Sequence, residues 1–428
     1  MPVWERVSES ILVRPLLFVV AGVVAALALL GLDLLVGPDA VPGWLRFDAA
    51  IARTLFATLA GATLTIAGIT FWVRAAAVQM AAGQFTPRVV QGFLHDWFQQ
   101  SMMGLLLGIF SYLVVVLRTL PEAGGTVPHL AVLAGVVLSG ASVLAVLVAI
   151  RNGVQSMQAG ELARRITDLT LRRISQQHPS RAPHHRSFHV TDLPEGPGYV
   201  VRAATSGWVQ DIDEGRILEA LDASATVRLE VRVGLFVRES RPLCRIWSGE
   251  GIWLDVEPKL RSAIRLGRVR TTRNDIHYGV QQLADVARGC LTQGTADPGA
   301  ANEVIVHLEI VLRELLRRDL PPVAYADDEG RRMIRRRDYS IEDYVAVAYN
   351  ELRLVAASYP TSAIALLDSI GALASEVEHS DRSDRARPLR AQGRLALAAC
   401  ERAGLLDEDL AQVRSVAVRH GLVASRIA

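Results

Sequence analysis

The chain has 428 residues, enough for roughly two or three domains. Half of its residues (50%) are hydrophobic and its mean hydropathy is +0.25, which is high for a soluble protein. A formal net charge of +2 gives no electrostatic reason to expect a nucleic-acid partner. The three cysteines are widely spaced, which matches neither a disulfide framework nor a zinc site and indicates a reducing compartment.

Charge and apolar residues are distributed unevenly along the chain. Only seven of the 46 basic residues and seven of the 44 acidic residues precede Arg151, whereas the long apolar runs lie before it. This asymmetry predicts a membrane domain followed by an aqueous one. We expect an α-helical membrane domain over residues 1–152, with four transmembrane helices at about 15–36, 52–74, 102–120 and 129–150. The first run is too long for the apolar core of a signal peptide, so we interpret it as an uncleaved span.

The arginines predict the orientation of these spans. With a cytoplasmic N-terminus, the cytoplasmic side carries Arg6, Arg14, Arg74, Arg88, Arg151, Arg164, Arg165, Arg172 and Arg173. The opposite side then carries Arg46, Arg53 and Arg118. Because positive residues favour the cytoplasmic side, we expect a multi-pass protein of the inner membrane with both termini in the cytoplasm.

The tail is predicted to be a cytoplasmic α+β domain. Residues 153–198 read as a stalk helix and linker, 199–272 as a small β module, and 273–428 as a helical domain. Alternation from Val227 to Val233 indicates a half-buried strand, and Gly234 permits a turn after it. The segment Asp338–Ser340 is a helix start, and the charged stretch Tyr325–Arg337 is predicted to be an exposed loop.

Small residues recur every seven positions along the second span and form a stripe on one side of it. The stripe consists of Thr54, Gly61, Gly68 and Ala75, continued by Ala82, with Thr58 and Thr65 beside it. Small residues allow helices to approach closely in lipid. Three interpretations stay open here: packing within the four-helix bundle, a contact between subunits, or a face that lines a pore.

An amphipathic helix is predicted over residues 87–100, directly after the second span. Thr86 and Pro87 are a favourable N-cap and first helical residue. One face carries apolar and aromatic residues, among them Phe93 and Trp97. This face is predicted to lie at the membrane surface or, alternatively, to pack against the tail.

Motifs for catalysis or metal binding are not apparent in the sequence. The histidines His178, His184, His185 and His189 fall in a proline-rich linker without a nearby cysteine, which favours a solvated segment over a metal site. No phosphate loop, dinucleotide fingerprint, nucleophile elbow or zinc-protease helix occurs. We therefore expect a protein that is not an enzyme and has no cofactor.

Several stretches resemble the predicted bacterial membrane proteins grouped as domain of unknown function 2254. The most specific is Gln84, Phe85, Thr86, Pro87 and Arg88, where the family has Gln-Phe-Ser-Pro-Arg. The other stretches are residues 207–213, 267–271, 279–285 and 297–298. At Ala296 the family has Asn, and residues 292–294 replace a Ser-Pro-Gly. The resemblance covers nearly the whole chain and implies a four-span membrane protein, but no activity.

The β module is also similar to the barrel-sandwich hairpins of biotinyl and lipoyl carrier domains. Those carriers need a turn lysine, whereas Lys259, the one lysine of the chain, lies outside the matching residues 205–247. We therefore expect no covalent cofactor. The leading functional hypothesis is a homo-oligomeric pore or transport assembly in the lipid bilayer, regulated by the tail. The alternative is a membrane-anchored sensor or scaffold whose tail binds a ligand or partner.

Overall fold

The computed structural model describes residues 13–36, 42, 47–84, 97–121, 126–155, 158–177, 186–187, 196–223, 225–248, 256–271, 274–292, 296–336 and 338–423. The chain forms two compact units that divide between Gln158 and Ala159.

The first unit is built from four long helices. They are α1 (Val13–Val36), α2 (Ala49–Gln84), α3 (Trp97–Thr119) and α4 (His129–Gln155). Each contains a segment long and apolar enough to cross a membrane. The prediction of four apolar helices compatible with membrane spans is confirmed.

Helix α3 packs against the other three helices of this unit. Its contact with α1 is close because both helices present glycines: a Cβ added to Gly22 would lie 2.1 Å from the carbonyl oxygen of Gly108. Phe56 of α2 and Tyr112 of α3 are buried in the core of the unit. Glycines thus allow the close contact of α1 with α3, and Gly135 of α4 leaves space for the Phe56 ring of α2.

An aspartate of the first helix caps the fourth. The Asp33 carboxylate accepts hydrogen bonds from the backbone N–H groups of Leu130, at 3.0 Å, and Ala131, at 2.9 Å. The first N–H groups of a helix have no partner within the helix, and the helix dipole favours an anion there. Close by, the Tyr112 hydroxyl donates to the Ala131 carbonyl at 2.7 Å. Asp33 therefore joins α1 to α4 through a polar contact.

The second unit combines helices and two sheets. Its longer helices are α5 (Ala159–Gln177), α8 (Ile276–Thr292), α9 (Pro298–Arg317), α12 (Pro360–Glu378), α13 (Ala386–Arg402) and α14 (Asp407–Arg419). The shorter ones are α6 (Glu214–Glu219), α7 (Val256–Ala263), α10 (Ile341–Tyr349) and α11 (Leu352–Ala356). Helix α5 falls in the segment predicted as a stalk, and its apolar face, including Ile166 and Ile174, is buried against α8 and α9.

Nine strands form the two sheets in the described part of this unit. They are β1 (Arg186–Ser187), β2 (Tyr199–Arg202), β3 (Gly207–Ile212), β4 (Thr226–Leu229), β5 (Phe236–Val237), β6 (Pro242–Trp247), β7 (Ile264–Gly267), β8 (Ala324–Ala326) and β9 (Arg332–Ile334). One sheet has the order β1-β8-β9-β4-β6-β2 and the other β5-β3-β7. All pairs are antiparallel except β4 with β9. A mixed helical and sheet tail is confirmed, whereas the likeness to carrier-domain hairpins stays a prediction.

The prediction of an exposed loop over Tyr325–Arg337 is wrong. Strands β8 and β9 form a hairpin here, with Gly330 at φ +86° in the turn, and β9 pairs with β4. Tyr325 and Met333 are 6% and 0% exposed in the core of the sheet region. Charged residues dominate the sequence of this stretch because only a few inward positions carry apolar side chains, and strands of three residues give no readable alternation.

We predict that Asp33→Ala destabilises the first unit by about 1–2 kcal/mol, the cost typical of a lost helix cap. Two backbone N–H groups of α4 would lose their acceptor, while Asp33→Asn would retain one of the two bonds and cost less. The measurement is unfolding of the purified full chain in mixed micelles with increasing denaturing detergent. Leu34→Ala is the control, since Leu34 is 84% exposed on the same helix. Equal stability of the Asp33 and Leu34 variants would contradict the capping role.

Candidate functional site

Three of the stretches that carry the family resemblance meet in the second unit. Strand β3 pairs with β7, and the chain after β7 stays beside β3, where Gln210 Nε2 donates to the Val269 carbonyl at 2.8 Å. The next residue, Arg270, reaches α8, with its Nη1 3.5 Å from Gln281 Oε1. Residues 207–213, 267–271 and 279–285 thus surround one location.

The centre of this location is an ion pair between Arg270 and Asp275. Arg270 Nε lies 2.6 Å from Asp275 Oδ2, and the two side chains are 14% and 3% exposed. The second oxygen, Oδ1, accepts from the backbone N–H of Tyr278 at 2.9 Å and so caps α8. Removing one partner of such a buried pair typically costs about 3–5 kcal/mol, because the other charge is left buried without compensation.

A tight turn brings a further arginine to the ion pair. The backbone N–H of Leu235 donates to the Arg232 carbonyl at 3.2 Å, and Gly234 between them has φ +80°, as in a type II turn. A Cβ on Gly234 would lie 2.2 Å from Asp275 Oδ2. Gly234 is therefore required both by its backbone conformation and by the contact with Asp275. This turn confirms the one predicted at Gly234 and fixes Arg232 beside the site.

Arg232, Tyr339 and His277 form a stack. The Arg232 guanidinium carbon lies 3.6 Å from the centre of the Tyr339 ring. The Tyr339 ring is stacked on His277, with centroids 3.7 Å apart and an interplanar angle of 13°. Tyr344, which is buried, lies 5.8 Å from the His277 ring and 5.9 Å from the Tyr339 ring. The stack holds the planar guanidinium of Arg232 in one orientation.

His277 is neutral at physiological pH. Arg270 Nη2 lies 3.4 Å from His277 Nδ1, and because a guanidinium only donates, Nδ1 acts as an acceptor and the ring proton is on Nε2. Burial, followed by the positive charge of Arg270, lowers the pKa of His277 from 6.5 to about 4. A protonated His277 would be a buried cation facing two arginines.

A cavity of about 430 Å³ opens beside this stack, which is in the range of small-molecule sites. Its walls come from α5, from the ends of β3 and β4, from the start of α8 and from residues 335–344. The ionisable side chains on the walls are Arg173, Arg232, Arg335, Arg336, Asp211, Asp213, Glu214, Asp275, Asp338 and His277. Tyr339 and Tyr344 add aromatic surface. Because ionisable and aromatic side chains from separate elements converge on this cavity, it is the candidate site.

Two carboxylates of the wall have contrasting surroundings. The Glu214 carboxylate accepts two hydrogen bonds from Arg335, at 2.6 Å from Nε and 2.5 Å from Nη2. It accepts a third from the Tyr325 hydroxyl at 2.8 Å. Asp338 accepts only a bond from the adjacent Tyr339 N–H among the described residues, at 2.9 Å. Enclosure by protein raises the pKa of Asp338, although its side chain is accessible from the cavity. Glu214 therefore has its partners in place, whereas the Asp338 oxygens have room for a ligand.

The stack also separates two cavities. A second cavity of about 290 Å³ is lined by α8, including Gln281 and Arg288, and by α10. His277 and Tyr339 line both cavities. A shift of either ring would therefore change the shape of both.

The predicted stripe of the second span lies on an open face of α2. Thr54, Thr58, Gly61, Thr65 and Gly68 are exposed, and the three hydroxyls donate to the carbonyls four residues earlier, at 2.8–2.9 Å. A Cβ on either glycine would have no described atom within 4 Å. The opposite face, with Ala52, Phe56, Ala60 and Thr63, is the buried one. Ala75 is half-buried. The stripe is not a packing surface within the described part of this unit.

Most of the predicted interfacial motif lies outside the described residues. This applies to Phe85, Thr86, Pro87, Arg88 and Phe93, whereas Gln84 ends α2 and Trp97 begins α3. The linker histidines His178, His184, His185 and His189 are likewise outside it. Within the described ranges, no group of three or more histidine, cysteine or acidic side chains is arranged to hold a metal ion.

Several residues of the cavity were not identified from the sequence as site residues. The helix start predicted at Asp338–Ser340 is confirmed, since Ser340 caps α10 in a capping box with Asp343. Because the helix start already accounts for these residues, the sequence does not show that Asp338 and Tyr339 line the cavity just before the helix. Arg232 looked like an outward residue of an alternating strand. The available signal was Gly234, because a glycine with positive φ often marks a close backbone approach.

We predict that His277 makes the second unit sensitive to acid. The pKa of His277 is about 4 instead of 6.5, so between these values the unfolded chain binds more protons than the folded one. The contribution to stability is complete above pH 6.5 and is lost as the pH falls toward 4, by up to roughly 3 kcal/mol. His277→Phe, which keeps a ring against Tyr339, should reduce the difference in unfolding free energy between pH 7 and pH 4.5.

The measurement is urea unfolding of the full chain followed by tryptophan fluorescence. His379→Phe is the matched control, because His379 is exposed and should leave the wild-type pH dependence intact. An identical pH dependence in wild type and His277→Phe would show that His277 titrates normally.

Comparison with known proteins finds mycobacterial relatives and one family model. The uncharacterized protein Rv1290c of Mycobacterium tuberculosis (strain ATCC 25618 / H37Rv) is 26% identical over 385 residues, covering 88% of this chain and 73% of the relative. The uncharacterized protein Mb1321c of Mycobacterium bovis gives the same identity and coverage. No solved structure matches the chain. The family model described as predicted membrane protein (DUF2254) matches residues 8–372, and the chain therefore belongs to the DUF2254 family of predicted membrane proteins.

Proposed function

We propose that this protein is a membrane-anchored sensor or scaffold whose second unit binds a small ligand in the cavity beside Arg232, Tyr339 and His277. The four-span unit is the anchor. The observation that carries the proposal is the cavity of about 430 Å³, whose charged and aromatic walls are supplied by separate elements. Buried and half-buried charges cost stability unless they are compensated, so their concentration at one cavity favours a binding role.

The proposed role is binding without chemistry on the ligand. His277, the imidazole of the wall, directs Nδ1 at Arg270, and Glu214 is held by Arg335 and Tyr325. His277 and Glu214 therefore hydrogen-bond to other residues of the second unit and stabilise the cavity wall. The arginine distribution of the sequence supports placing the second unit in the cytoplasm, on the inner face of the membrane.

We predict that the full chain in nanodiscs is stabilised by at least one member of a defined library of organic acids, sugar phosphates, amino acids and polyamines. A ligand at 100 times its Kd stabilises the folded state by about 2.7 kcal/mol. The measurement is the thermal unfolding midpoint against ligand concentration, which should saturate.

The variants Gln176→Trp and Gln412→Trp make this test specific. Gln176 is exposed and lines the cavity, so a tryptophan there should obstruct it. Gln412 is an exposed residue of α14 and should have no effect on binding. The proposal fails if no compound stabilises the wild type, or if the stabilisation is equal in both variants.

A second candidate function, a homo-oligomeric pore or transport assembly, is favoured by the open stripe on α2. Gly61 and Gly68 leave space for another helix on a face that the described part of the unit does not cover. Close helix contacts in lipid use such small residues. The exposed threonines beside them have satisfied hydroxyls, which is compatible with either a helix contact or a polar lumen.

For this candidate we predict that Gly61→Leu and Gly68→Leu reduce the fraction of oligomer, because a leucine would separate the helices. The measurement is native mass spectrometry from nanodiscs, together with solute flux in proteoliposomes. Gly140→Leu is the matched control, since a Cβ on this α4 glycine also meets open space. A monomeric wild type without flux, or oligomers unchanged by both stripe variants, would contradict the candidate.

A further inference from the structure

We infer that the cavity of the second unit binds its ligand through an anionic group, a carboxylate or a phosphate, held by Arg232. The inference rests on the proposed ligand-binding function and specifies its chemistry. It is drawn from the contacts of one guanidinium and from the composition of the wall that faces it.

Arg232 has no acceptor among the described residues. Its guanidinium lies on the Tyr339 ring at 3.6 Å, and its Nη1 is enclosed without a hydrogen-bond partner. The side chain is half-buried and lines the cavity. A guanidinium in this position keeps its positive charge, because arginine is not deprotonated in proteins.

The neighbouring arginines, unlike Arg232, have hydrogen-bond acceptors within the protein. Arg270 is paired with Asp275 and Arg335 with Glu214, while Arg336 Nη1 donates to the Glu230 carbonyl at 2.7 Å. Asp338 is near enough for Arg232 to oppose the rise in its pKa, but the two side chains form no hydrogen bond. Arg173, also on the wall, donates from Nη1 to Gln176 Oε1 at 3.1 Å. Among the described arginines of the wall, Arg232 is therefore the one for which no hydrogen-bond acceptor is found.

An anionic ligand would supply the hydrogen-bond acceptors that the Arg232 guanidinium lacks. The planar fork of a guanidinium matches the two oxygens of a carboxylate or phosphate, and such charge-assisted bonds are among the strongest polar contacts. Stacking on Tyr339 orients the fork before the ligand arrives, so little side-chain freedom is lost on binding. A half-buried guanidinium without a hydrogen-bond acceptor is unfavourable, and an anion that pairs with it removes that penalty.

The acidic wall restricts the remainder of the ligand. Asp211, Asp213 and Asp338 offer carboxylate oxygens to the same cavity, and these accept hydrogen bonds from hydroxyl or ammonium groups. The expected ligand is therefore a small hydroxylated or zwitterionic anion, such as a hydroxy acid, an amino acid or a polyol phosphate. A volume of about 430 Å³ suits a molecule of this size. The phosphate of a lipid headgroup has the same chemistry, and the experiment separates the two sources.

The test uses the full chain in nanodiscs of phosphatidylcholine. Binding of inorganic phosphate, sn-glycerol 3-phosphate, glycerol and choline is measured by isothermal titration calorimetry and by thermal unfolding. A second arm adds phosphatidylglycerol to the nanodiscs and asks whether soluble sn-glycerol 3-phosphate still binds. Loss of binding in that arm identifies the lipid headgroup as the occupant, and retained binding identifies a soluble ligand.

The variants are Arg232→Gln, Arg232→Lys and, as control, Arg268→Gln, which removes an exposed arginine outside the cavity wall. We expect sn-glycerol 3-phosphate to bind, Arg232→Gln to raise its Kd at least tenfold, and Arg268→Gln to change it less than twofold. Arg232→Lys keeps the charge but not the fork, and should give an intermediate Kd even if the glutamine variant folds poorly.

Two results would overturn the inference. One is unchanged affinity for the phosphate ester in both Arg232 variants. The other is an affinity for glycerol or choline equal to that for the anions, with binding abolished by Gln176→Trp. In that case the cavity still binds a ligand, as proposed, but without specificity for an anion. If no compound of any charge binds, both the inference and the proposed function are wrong.

Discussion

The arrangement of the second unit at the candidate site depends on the ion pair of Arg270 and Asp275. Arg270 extends from the chain that follows β7, and Asp275 is the residue that caps α8. The pair is 14% and 3% exposed, so each charge depends on the other for compensation. It therefore connects the three-stranded sheet with a helix that starts at the cavity. Loss of either partner would release the wall on which Tyr339 and His277 stack.

The first unit could be predicted well because its signal is strong and local. A run of about 20 apolar residues has few folded alternatives, and four such runs gave the four helices that the structure contains. The sequence also shows the small-residue stripe on α2. Its periodicity identifies the residues that share a face of the helix, but it does not show which element packs against that face. The close contact of α3 with α1 does have a local signal, because Gly104 and Gly108 of α3 have the GxxxG spacing typical of close helix contacts in lipid, but the prediction does not use it. Asp33 lies near the end of the first apolar run, and no local pattern shows that its carboxylate caps another helix.

The candidate site was not predictable in the same way, because its residues are far apart in sequence and individually ordinary. Arg232 follows a strand, His277 opens a helix and Tyr339 precedes another, and each has a common local explanation. The hairpin of β8 and β9 is not predictable from periodicity, because its strands are three residues long and the stretch between and after them is highly charged. What the sequence did indicate was the set of stretches shared with the family. Their meeting at one place required the pairing of β3 with β7, a non-local contact.

The turn at Gly234 shows how the scaffold and the site depend on the same atoms. Its φ of +80° allows the type II turn, and its N–H donates to the Val209 carbonyl of β3 at 2.9 Å. With no Cβ, Gly234 also leaves the space that Asp275 Oδ2 occupies. Arg232 lies two residues earlier, so the turn that packs against the Arg270–Asp275 pair also places Arg232 over Tyr339. Because Arg232 is positioned by this turn and stacks on the Tyr339 ring, its guanidinium is directed at the cavity.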